Sequence, residues 1–572
     1  MKGYEIPRYR YHSSHEQLSG EKVTHEVVVI GGGLVGLTTA LELGRQGLHV
    51  VVLDDDNTVG VRGLASRGVS YAQRSLQFFQ RLGIYDRVAA KGVSWSRAQI
   101  LQNDTCLYEY SLVKNAAEKY PPFVNLQQYY LEQFLVERIA QFPNVEIRWE
   151  NKVCNVNQDD EQVSIEVETP EGPYQVHAQW VVACDGAWSA TRQALGLEPE
   201  VRTFDDTWLI VDFELKEQLP PLRVVWIESE DNNGKAIWFH PMADNVWRLD
   251  YQIGKYEDAE IAAIKDHAAE TVRQVLTHRL NREDIEFELV WVGPWTYRTY
   301  VLDSLKHQRI LFAGDAAHLK SPFGARGGNS GIQDAENLGW KLARVVSGKA
   351  PASLLETYNL ERREAALENV RVTTRTSRFL APRSSQEYRM RTVIQQLARS
   401  LPFARALVNG GRMTEANQYR ASPACVYDEA AESFKGGIVA GAAAVDARLS
   451  INGRAVSLID LFGVDFKVLI VASFQVKQKA RDAAKIALDQ GLEVLVVCDG
   501  SVIDGLEGEI EFGSDDYGDV ALRYGSGDLM VYLIRPDAYV GWRSRECSAS
   551  ALALALKACA GLLVDTEECA RA

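Results

Sequence analysis

The hydrophobic pattern after His25 alternates between short apolar runs and an amphipathic segment. HEVVVI and LHVVVLDDD predict strands, and LTTALELGRQG between them predicts a helix that ends at Gly47. Continuous apolar strands are typical of a parallel sheet that is covered on both faces. The pattern therefore predicts a βαβ unit that begins a doubly wound α/β domain.

The hydrophobic pattern divides the chain into five parts. Residues 1–24 are polar with interspersed tyrosines and predict an extended surface arm. Residues 25–200 and 301–424 predict two parts of the doubly wound domain, the second ending in a helical region. Between them, residues 201–300 are strand-like and predict an inserted β-rich domain suited to holding a substrate. Residues 425–572 repeat an α/β pattern and predict a separate small domain.

Composition narrows the class of protein. The 572 residues carry a formal net charge of -15, which argues against a nucleic-acid or anionic-membrane surface. The eight cysteines form no CxxC pair and show no metal-ligand spacing, so we predict no metal site. The N-terminus lacks the apolar core of a signal peptide, and no run approaches the roughly 18 apolar residues of a membrane span. We predict a cytoplasmic protein without a membrane segment.

Three glycines follow the first strand at GxGxxG spacing: Gly31, Gly33 and Gly36. Glycine permits a tight turn there and lets backbone N–H groups approach a pyrophosphate at the start of a helix. Asp54 ends the second strand 18 residues after Gly36, where a carboxylate accepts hydrogen bonds from ribose hydroxyls. Strand, turn, helix and acid together predict that the chain binds an adenine dinucleotide.

A second glycine-rich stretch, AGDAAHLKSPFGARGGNSGIQDAENLGWKL, follows the strand RILFA. Its glycines are Gly324, Gly327, Gly328 and Gly331. Four glycines in eight residues predict close approach of the backbone to a ligand. The helix predicted from Asn329 would direct its N-terminal N–H groups at a phosphate or at the pyrimidine edge of a flavin. Asp315, at the end of the strand, is a candidate partner of a ribityl hydroxyl.

A third element, VVACDGAWSATR, places Asp185 and Gly186 directly after a strand. Together the three motifs resemble the class A flavoprotein monooxygenases, the group of para-hydroxybenzoate hydroxylase and phenol hydroxylase, over residues 25–375. The resemblance implies FAD as cofactor, NADPH or NADH and O2 as co-substrates, and a phenolic substrate. In this family NAD(P)H reduces the flavin, and a flavin C4a-hydroperoxide hydroxylates the ring.

The resemblance also assigns residues to the cofactor. Gly31, Gly33, Gly36 and Asp54 would hold the ADP half of FAD, with Asp315 at the ribityl chain and Gly327, Gly328 and Asn329 beside the isoalloxazine. Arg67 matches an arginine that contacts the pyrophosphate and ribityl region, although it could equally be a surface charge, and Gln128 matches a flavin-side glutamine. Asp185 and Gly186 would serve both FAD and NAD(P)H.

One departure from the family pattern lies in the second glycine-rich stretch. The usual double proline after GDAAH is replaced by Lys320, Ser321 and Pro322. The resemblance implies that the backbone carbonyl at Pro322 faces the substrate hydroxyl. His318 is expected to pack beneath the flavin.

Candidate catalytic residues lie in the inserted segment WFHPMADNVWRLDYQ. His240, Arg248, Asp250 and Gln252 fall on alternating positions and so share one face if the strands are regular. His240 is the leading candidate for accepting the phenol proton, because an imidazole titrates near neutral pH. A hydrogen-bonded structural histidine is the alternative. Arg248 is a candidate for attracting a substrate carboxylate, and an ion pair with Asp250 or Asp244 is its alternative.

The C-terminal part, with YGSGDLMVYLIRPDAYVGWR, resembles the thioredoxin-like tail of the phenol hydroxylase and 3-(3-hydroxyphenyl)propionate hydroxylase branch. It lacks the CxxC that dithiol chemistry needs, so we expect it to support the fold or a homodimer. This branch favours a meta-substituted phenol with an acidic side chain. Alternatives are a flavin-dependent halogenase, whose WxWxIP segment is missing here, a double-bond reductase, or a non-catalytic flavin-binding redox regulator.

Overall fold

The computed structural model describes residues 4–60, 65–113, 118–255, 258–408, 413–427, 436–499, 510–525 and 529–562. Within these ranges the chain forms three large sheets and one small one, with helices packed against them.

The strands are β1 (Thr24–Ile30), β2 (Val50–Leu53), β3 (Ser70–Ala72), β4 (Val93–Trp95), β5 (Arg97–Gln102), β6 (Thr105–Ser111), β7 (Phe123–Asn125), β8 (Val145–Arg148), β9 (Lys152–Gln158), β10 (Val163–Glu168), β11 (Tyr174–Ala183), β12 (Arg202–Leu215), β13 (Arg223–Ser229), β14 (Lys235–Pro241), β15 (Val246–Gly254), β16 (Phe287–Val301), β17 (Lys306–His307), β18 (Ile310–Phe312), β19 (His318–Leu319), β20 (Arg448–Ile451), β21 (Arg454–Ser457), β22 (Lys467–Ala472), β23 (Glu493–Cys498), β24 (Glu511–Ser514), β25 (Met530–Ile534) and β26 (Val540–Ser544).

The α-helices are α1 (His15–Ser19), α2 (Leu34–Arg45), α3 (Gln73–Leu82), α4 (Tyr85–Lys91), α5 (Gln128–Ile139), α6 (Ala190–Ala194), α7 (Asp258–Asp266), α8 (Ala268–Leu280), α9 (Arg326–Val346), α10 (Leu354–Leu380), α11 (Ser385–Ala398), α12 (Pro402–Arg405), α13 (Lys477–Asp489), α14 (Asp519–Tyr524) and α15 (Ala549–Cys559).

The first sheet has β1 near its centre and the order β17-β18-β11-β1-β2-β8. β1 pairs in parallel with β2 on one side and with β11 on the other. Val27, Val28 and Val29 are fully buried, as a strand covered on both faces requires. β9 and β10 extend the sheet in antiparallel fashion beyond β11. This sheet confirms the α/β fold predicted from the apolar runs.

The second sheet has the order β19-β16-β12-β15-β14-β13-β5-β6. Most of its strands come from the predicted insertion, but β5 and β6 come from residues that the sequence assigned to the first part of the doubly wound domain. One face packs against α8 through Leu209, Phe239 and Leu249. The opposite face meets the first domain, where Arg248 donates to the main-chain carbonyl of Arg67. This sheet therefore forms a wall across from the nucleotide-binding motifs.

The N-terminal arm lies against the first domain. Tyr4 stacks on Tyr129 with ring centroids 4.7 Å apart, and Tyr9 stacks on Trp149 at 4.5 Å. The arm also contains one helical turn, α1, which Ser14 caps.

The C-terminal sheet has the order β21-β20-β24-β23-β22-β25-β26. β22, β23 and β24 run parallel, while β25 and β26 are antiparallel to their neighbours. A buried ion pair joins this domain to α10, because Arg535 donates to both carboxylate oxygens of Glu361 at 2.6 and 2.9 Å. In the part of the chain that the structure describes, no helix combines the length and apolar character needed to cross a membrane.

Candidate active site

The first glycine motif forms a turn that only glycine can make. Gly31 has φ +104°, and a Cβ there would lie 2.6 Å from the carbonyl oxygen of Cys184 on β11. A Cβ on Gly36 would overlap the carbonyl oxygen of Gly31. Gly33 precedes α2 in an extended conformation and leaves the helix N-terminus without a side-chain cap of its own. The turn thus presents backbone N–H groups at the start of α2, where a pyrophosphate binds in such folds.

Asp54 holds this turn from the end of β2. Its carboxylate accepts hydrogen bonds from the N–H of Gly32 at 2.5 Å and of Asp56 at 2.9 Å. Burial raises the pKa of Asp54 to about 6. The residue therefore lies where the ribose role was predicted and also anchors the glycine loop, while the ribose contact itself stays a prediction.

A buried glutamate, Glu132 on α5, binds the same helix start and was not found from the sequence. Its carboxylate accepts from the N–H of Leu34 at 3.0 Å, from the N–H of Gly60 at 2.8 Å and from the amide of Gln128 at 2.7 Å. A negative charge at the N-terminus of α2 is favoured by the helix dipole. Its position four residues after Gln128, on the same face of α5, was the available signal.

Arg67 and Gln128 lie beside this carboxylate. Gln128 accepts the N–H of Gly68 at 3.2 Å and so fixes the loop after Arg67, whose φ is +48°. The side chain of Arg67 is exposed. Burial raises the pKa of Glu132, and the charge of Arg67 partly offsets that rise while also acting on the carboxyl of Asp315. The charge of Arg67 thus acts on one carboxyl group at each glycine motif: Glu132 beside the first and Asp315 near the second.

The DG motif follows β11, next to the first glycine turn. Asp185 accepts the N–H of Thr191 through Oδ2 at 2.9 Å, while its buried Oδ1 has no hydrogen-bond partner among the described residues. Gly186 has φ +75°, and a Cβ added to it would meet no atom within 4 Å. Arg192 joins this motif to the next, because it donates to the carbonyl of Ala316 at 3.1 Å.

Buried charges hold the GDAAH segment. His318 Nε2 lies 2.7 Å from Asp334 Oδ2, which also accepts the N–H of Gly314 at 3.0 Å. Arg362 donates to Oδ1 of the same aspartate at 2.7 Å, and Lys320 Nζ lies 2.8 Å from His318 Nδ1. The hydrogen bond from His318 and the charges of Arg362 and Lys320 outweigh burial and hold the pKa of Asp334 well below its usual range, while burial lowers the pKa of Lys320 to about 8. His318 thus helps to hold the GDAAH segment in its conformation.

Asp315 and Pro322 frame the exposed part of this segment. Asp315 follows β18 and is exposed, in the position predicted for a ribityl contact. Pro322 is also exposed, and its carbonyl accepts the N–H of Ala325 at 3.1 Å in a turn. One carbonyl lone pair is therefore used by the loop itself.

The start of α9 combines open space with a fixed backbone. A Cβ on Gly327 would meet no atom within 4 Å, and one on Gly328 would lie 3.3 Å from Leu34 of α2. The side chain of Asn329 accepts the N–H of Ala72 at 2.9 Å and donates to the carbonyl of Ser70 at 2.8 Å. Asn329 therefore anchors the helix start, so its main chain rather than its amide is left to face a ligand.

His240 lies on the face of the second sheet that meets this domain. Its Nε2 lies 3.4 Å from Asp250 Oδ2, and its buried Nδ1 has no partner among the described residues. Burial lowers the pKa of His240, so the neutral imidazole is favoured. His240 is thus both held by a carboxylate and left with one open ring nitrogen.

Arg248 and Gln252 share that face but are engaged by the protein. Arg248 donates to Asp250 at 2.7 Å and to the carbonyl of Arg67 at 2.7 Å, so the ion pair that was the alternative for Arg248 is present. Gln252 donates to Asp206 at 3.1 Å. The predicted common face of these residues is present, since His240 and Arg248 are cross-strand partners.

Two further buried charges on this face were missed from the sequence. Asp212 accepts the N–H of Ser66 at 3.1 Å, and burial raises its pKa to about 6. Arg223 is 1% exposed and donates to the hydroxyl of Tyr110 at 3.2 Å. The sequence could have indicated Arg223, because it is a charged residue at the start of RVVWIES, whose next four residues are apolar.

The residues present fit a flavin dinucleotide. The first glycine turn offers N–H groups at the start of α2. Asp185 has a buried carboxylate oxygen without a partner among the described residues. The lack of a side chain at Gly327 leaves open space at the start of α9. These features define a flavin-binding protein of the α/β class.

Comparison with known proteins identifies the family. Residues 24–373 match the family described as FAD binding domain, and the chain belongs to it. The 3-(3-hydroxy-phenyl)propionate/3-hydroxycinnamic acid hydroxylase of Mycolicibacterium smegmatis is 30% identical over 67% of this chain, a match that spans 66% of that relative. The "Probable NADH-specific resorcinol 4-hydroxylase" of Rhodococcus jostii is 32% identical over 63% of this chain and 68% of its own length.

Solved structures show the same fold over nearly the whole chain. The flavin-dependent monooxygenase PieE, in complex with FAD and substrate, aligns with a TM-score of 0.74 at 22% identity and covers 96% of this chain and 100% of its own. Aklavinone-11 hydroxylase, with FAD and aklavinone, aligns with a TM-score of 0.70 at 21% identity and covers 94% and 99%. The chain therefore has the fold of flavin-dependent monooxygenases. Its membership of the FAD binding domain family makes FAD its cofactor.

Proposed function

We propose that this protein is an FAD-dependent monooxygenase that uses NAD(P)H and O2 to hydroxylate a phenolic ring. The observation that carries the proposal is the polar, buried face of the second sheet, where His240 keeps an open ring nitrogen beside the flavin-binding motifs. FAD, when bound, supplies hydride acceptance and oxygen activation. The protein supplies orientation, a proton acceptor and a site closed to water.

The relatives support a phenolic substrate. Their names give hydroxylation of 3-(3-hydroxyphenyl)propionate or 3-hydroxycinnamic acid, of resorcinol and of para-nitrophenol. Each of these compounds carries a hydroxyl on an aromatic ring, and one relative's name specifies NADH. The shared chemistry is the phenol, whose ring becomes more nucleophilic when the hydroxyl loses its proton.

His240 is suited to accept that proton. With Asp250 accepting from Nε2–H, the neutral ring carries its lone pair on Nδ1, which has no partner among the described residues. The lowered pKa of His240 keeps Nδ1 unprotonated near neutral pH. We assign His240 as the base and Asp250 as the residue that fixes its tautomer.

Aromatic side chains close the site beside His240. Phe323, from the second glycine-rich segment, packs at 4.9 Å on Trp238, at 5.6 Å on Trp208 and at 5.3 Å on Tyr297. All four side chains are buried. This wall joins the glycine-rich segment to the second sheet and excludes water on that side.

The cofactor assignments follow from positions around the motifs. The residues that would hold FAD and admit NAD(P)H are Gly31, Gly33, Gly36, Asp54, Arg67, Gln128, Asp185, Gly186, Asp315, Gly327, Gly328 and Asn329. Arg67 would offset pyrophosphate charge, and Asn329 would act by fixing the start of α9. Pro322 would present its carbonyl to the substrate hydroxyl, and Arg248 would act by holding Asp250.

The C-terminal domain is suited to a supporting role. We infer a thioredoxin-like fold, since β23-β22-β25-β26 combine one parallel and two antiparallel pairings, with α13 connecting β22 to β23. The sequence has no CxxC pair, which dithiol chemistry needs, so we propose that this domain supports the fold. A cytoplasmic location remains a prediction from composition.

A homodimer is also part of the proposal. Helix α11 exposes Met390, Val393 and Leu397 at helical spacing, and Phe403 of α12 is 64% exposed. Apolar surface of this kind is typical of subunit contacts. Light scattering of the purified protein, alone and as Met390→Glu, tests it: a dimer that the variant dissociates supports this face.

The experiment for the activity follows flavin reduction and product formation. Purified protein with FAD is mixed with NADH or NADPH and a panel of phenols, and products are separated by mass. We expect a phenol to accelerate nicotinamide oxidation and to gain one oxygen atom. His240→Gln should lower product formed per NAD(P)H while FAD stays bound, and an unchanged yield and pH profile would remove His240 from the reaction.

A further inference from the structure

Arg223 is a buried cation that lacks an anionic partner among the described residues. Its only hydrogen bond within them goes to the hydroxyl of Tyr110, and none of their carboxylates forms an ion pair with it. Its guanidinium lies 5.0 Å from the ring centroid of Trp238 and 5.8 Å from that of Trp95. Cation–π contacts offset only part of the cost of removing a charge from water. Arg223 therefore retains the capacity to bind an anion.

The position of Arg223 places this capacity in the proposed active site. Val224 pairs with Phe239 across β13 and β14, so Arg223 lies beside His240 on the same face. Trp95 belongs to an apolar cluster that includes Ala325, the residue before α9. The guanidinium thus lies on the same sheet face as the proposed base and contacts Trp95, whose apolar cluster includes the residue before α9.

The other charged groups of this face are already neutralised or engaged. Asp250 is shared by Arg248 and His240, and Asp212 accepts from the main chain of Ser66. The indole N–H of Trp238 is buried and has no partner among the described residues. An anionic ligand beside Arg223 could therefore pair with its guanidinium and accept a hydrogen bond from the indole N–H of Trp238.

We propose that Arg223 recognises a carboxylate on the side chain of the substrate, with the phenol hydroxyl directed toward His240. This rests on the proposed function. Relatives are named as hydroxylases of a phenol with an acidic side chain, and the inference assigns the residue that would bind that acid here. A guanidinium suits a carboxylate because its planar N–H groups match two oxygens at once. Arg223 binds and orients the ligand. Arg248 does not bind it, because its guanidinium is already engaged by Asp250 and the carbonyl of Arg67.

The test compares an acid with its neutral amide on the FAD-loaded enzyme. Binding of 3-(3-hydroxyphenyl)propionate and of its carboxamide is measured from the change in flavin absorbance, without NAD(P)H. We expect Arg223→Gln to weaken the acid about 10- to 100-fold and the amide only slightly. Arg223→Lys, which keeps the charge, should bind the acid with an intermediate Kd.

The matched control is Arg279→Gln. Arg279 stacks on Trp226 and Phe239 from α8, on the opposite face of the same sheet, at 5.7 and 5.3 Å. This variant should leave both affinities unchanged. If Arg223→Gln does not fold, the ratio of acid to amide affinity in Arg223→Lys decides instead.

Two results would overturn the proposal. One is equal weakening of acid and amide, which would make Arg223 a structural partner of the two tryptophans. The other is a wild-type enzyme that binds acid and amide alike. Failure of any phenol to be hydroxylated would instead overturn the proposed function, and the binding comparison would still report on Arg223.

Discussion

Replacement of Gly327 by alanine separates the stability of the fold from the binding of FAD. Gly327 lies in the first turn of α9, and a Cβ there would meet no protein atom within 4 Å. Alanine is the better helix former by about 1 kcal/mol, so Gly327→Ala should unfold without FAD at the same or a slightly higher temperature than wild type. The added methyl would project into the space assigned to the flavin. Overpacking of one methyl costs about 1–3 kcal/mol, which lowers affinity about 5- to 150-fold.

The assay measures both quantities on the same preparations. Thermal unfolding of the FAD-free protein gives the stability, and quenching of FAD fluorescence gives the Kd. Gly331→Ala is the contrasting variant, because its Cβ would overlap the side chain of Val35 on α2 and should destabilise the protein even without FAD. If Gly327→Ala binds FAD as tightly as wild type, the flavin does not occupy the open space beside Gly327.

Three further variants test the buried charges. Glu132→Gln should lower the free energy of unfolding by about 1–3 kcal/mol, because an amide cannot accept from Leu34, Gly60 and Gln128 together; unchanged urea unfolding would contradict this. Glu361→Gln should cost about 3–5 kcal/mol, because it leaves Arg535 buried with one fewer carboxylate, and separate melting of the C-terminal domain would show where the loss falls. The pKa of Asp212 is raised in the fold to about 6, so its contribution to stability is greatest below about pH 4 and is lost as pH rises through 6. Asp212→Asn should therefore gain stability relative to wild type as pH rises from about 4 to about 6 in urea unfolding, and a pH-independent difference would refute the cause.

The glycine motifs could be placed from sequence because their constraints are local. Gly31 and Gly36 make a turn between adjacent elements, and the spacing to Asp54 follows from one strand and one helix. The shared face of His240 and Arg248 likewise follows from strand alternation. Local patterns thus predicted the α/β fold, the positions of the glycine motifs and the shared face of His240 and Arg248.

The rest depends on contacts between distant parts of the chain. β5 and β6 join the second sheet through pairing of β5 with β13, which no local pattern encodes. Glu132 reaches α2 only when α5 packs on it, and Asn329 turns toward Ala72 because α3 lies there. A motif fixes where a residue lies along the chain, but the direction of its side chain is set by tertiary neighbours.

Monooxygenation at this site would place one atom of O2 on the ring of a phenol. The most direct measurement is turnover of the FAD-loaded protein with NAD(P)H under isotopically labelled dioxygen, followed by mass spectrometry of the aromatic product. We expect a product that carries one labelled oxygen, with a yield that falls in His240→Gln. A product labelled from water, or nicotinamide oxidation that yields only hydrogen peroxide with every phenol, would contradict it.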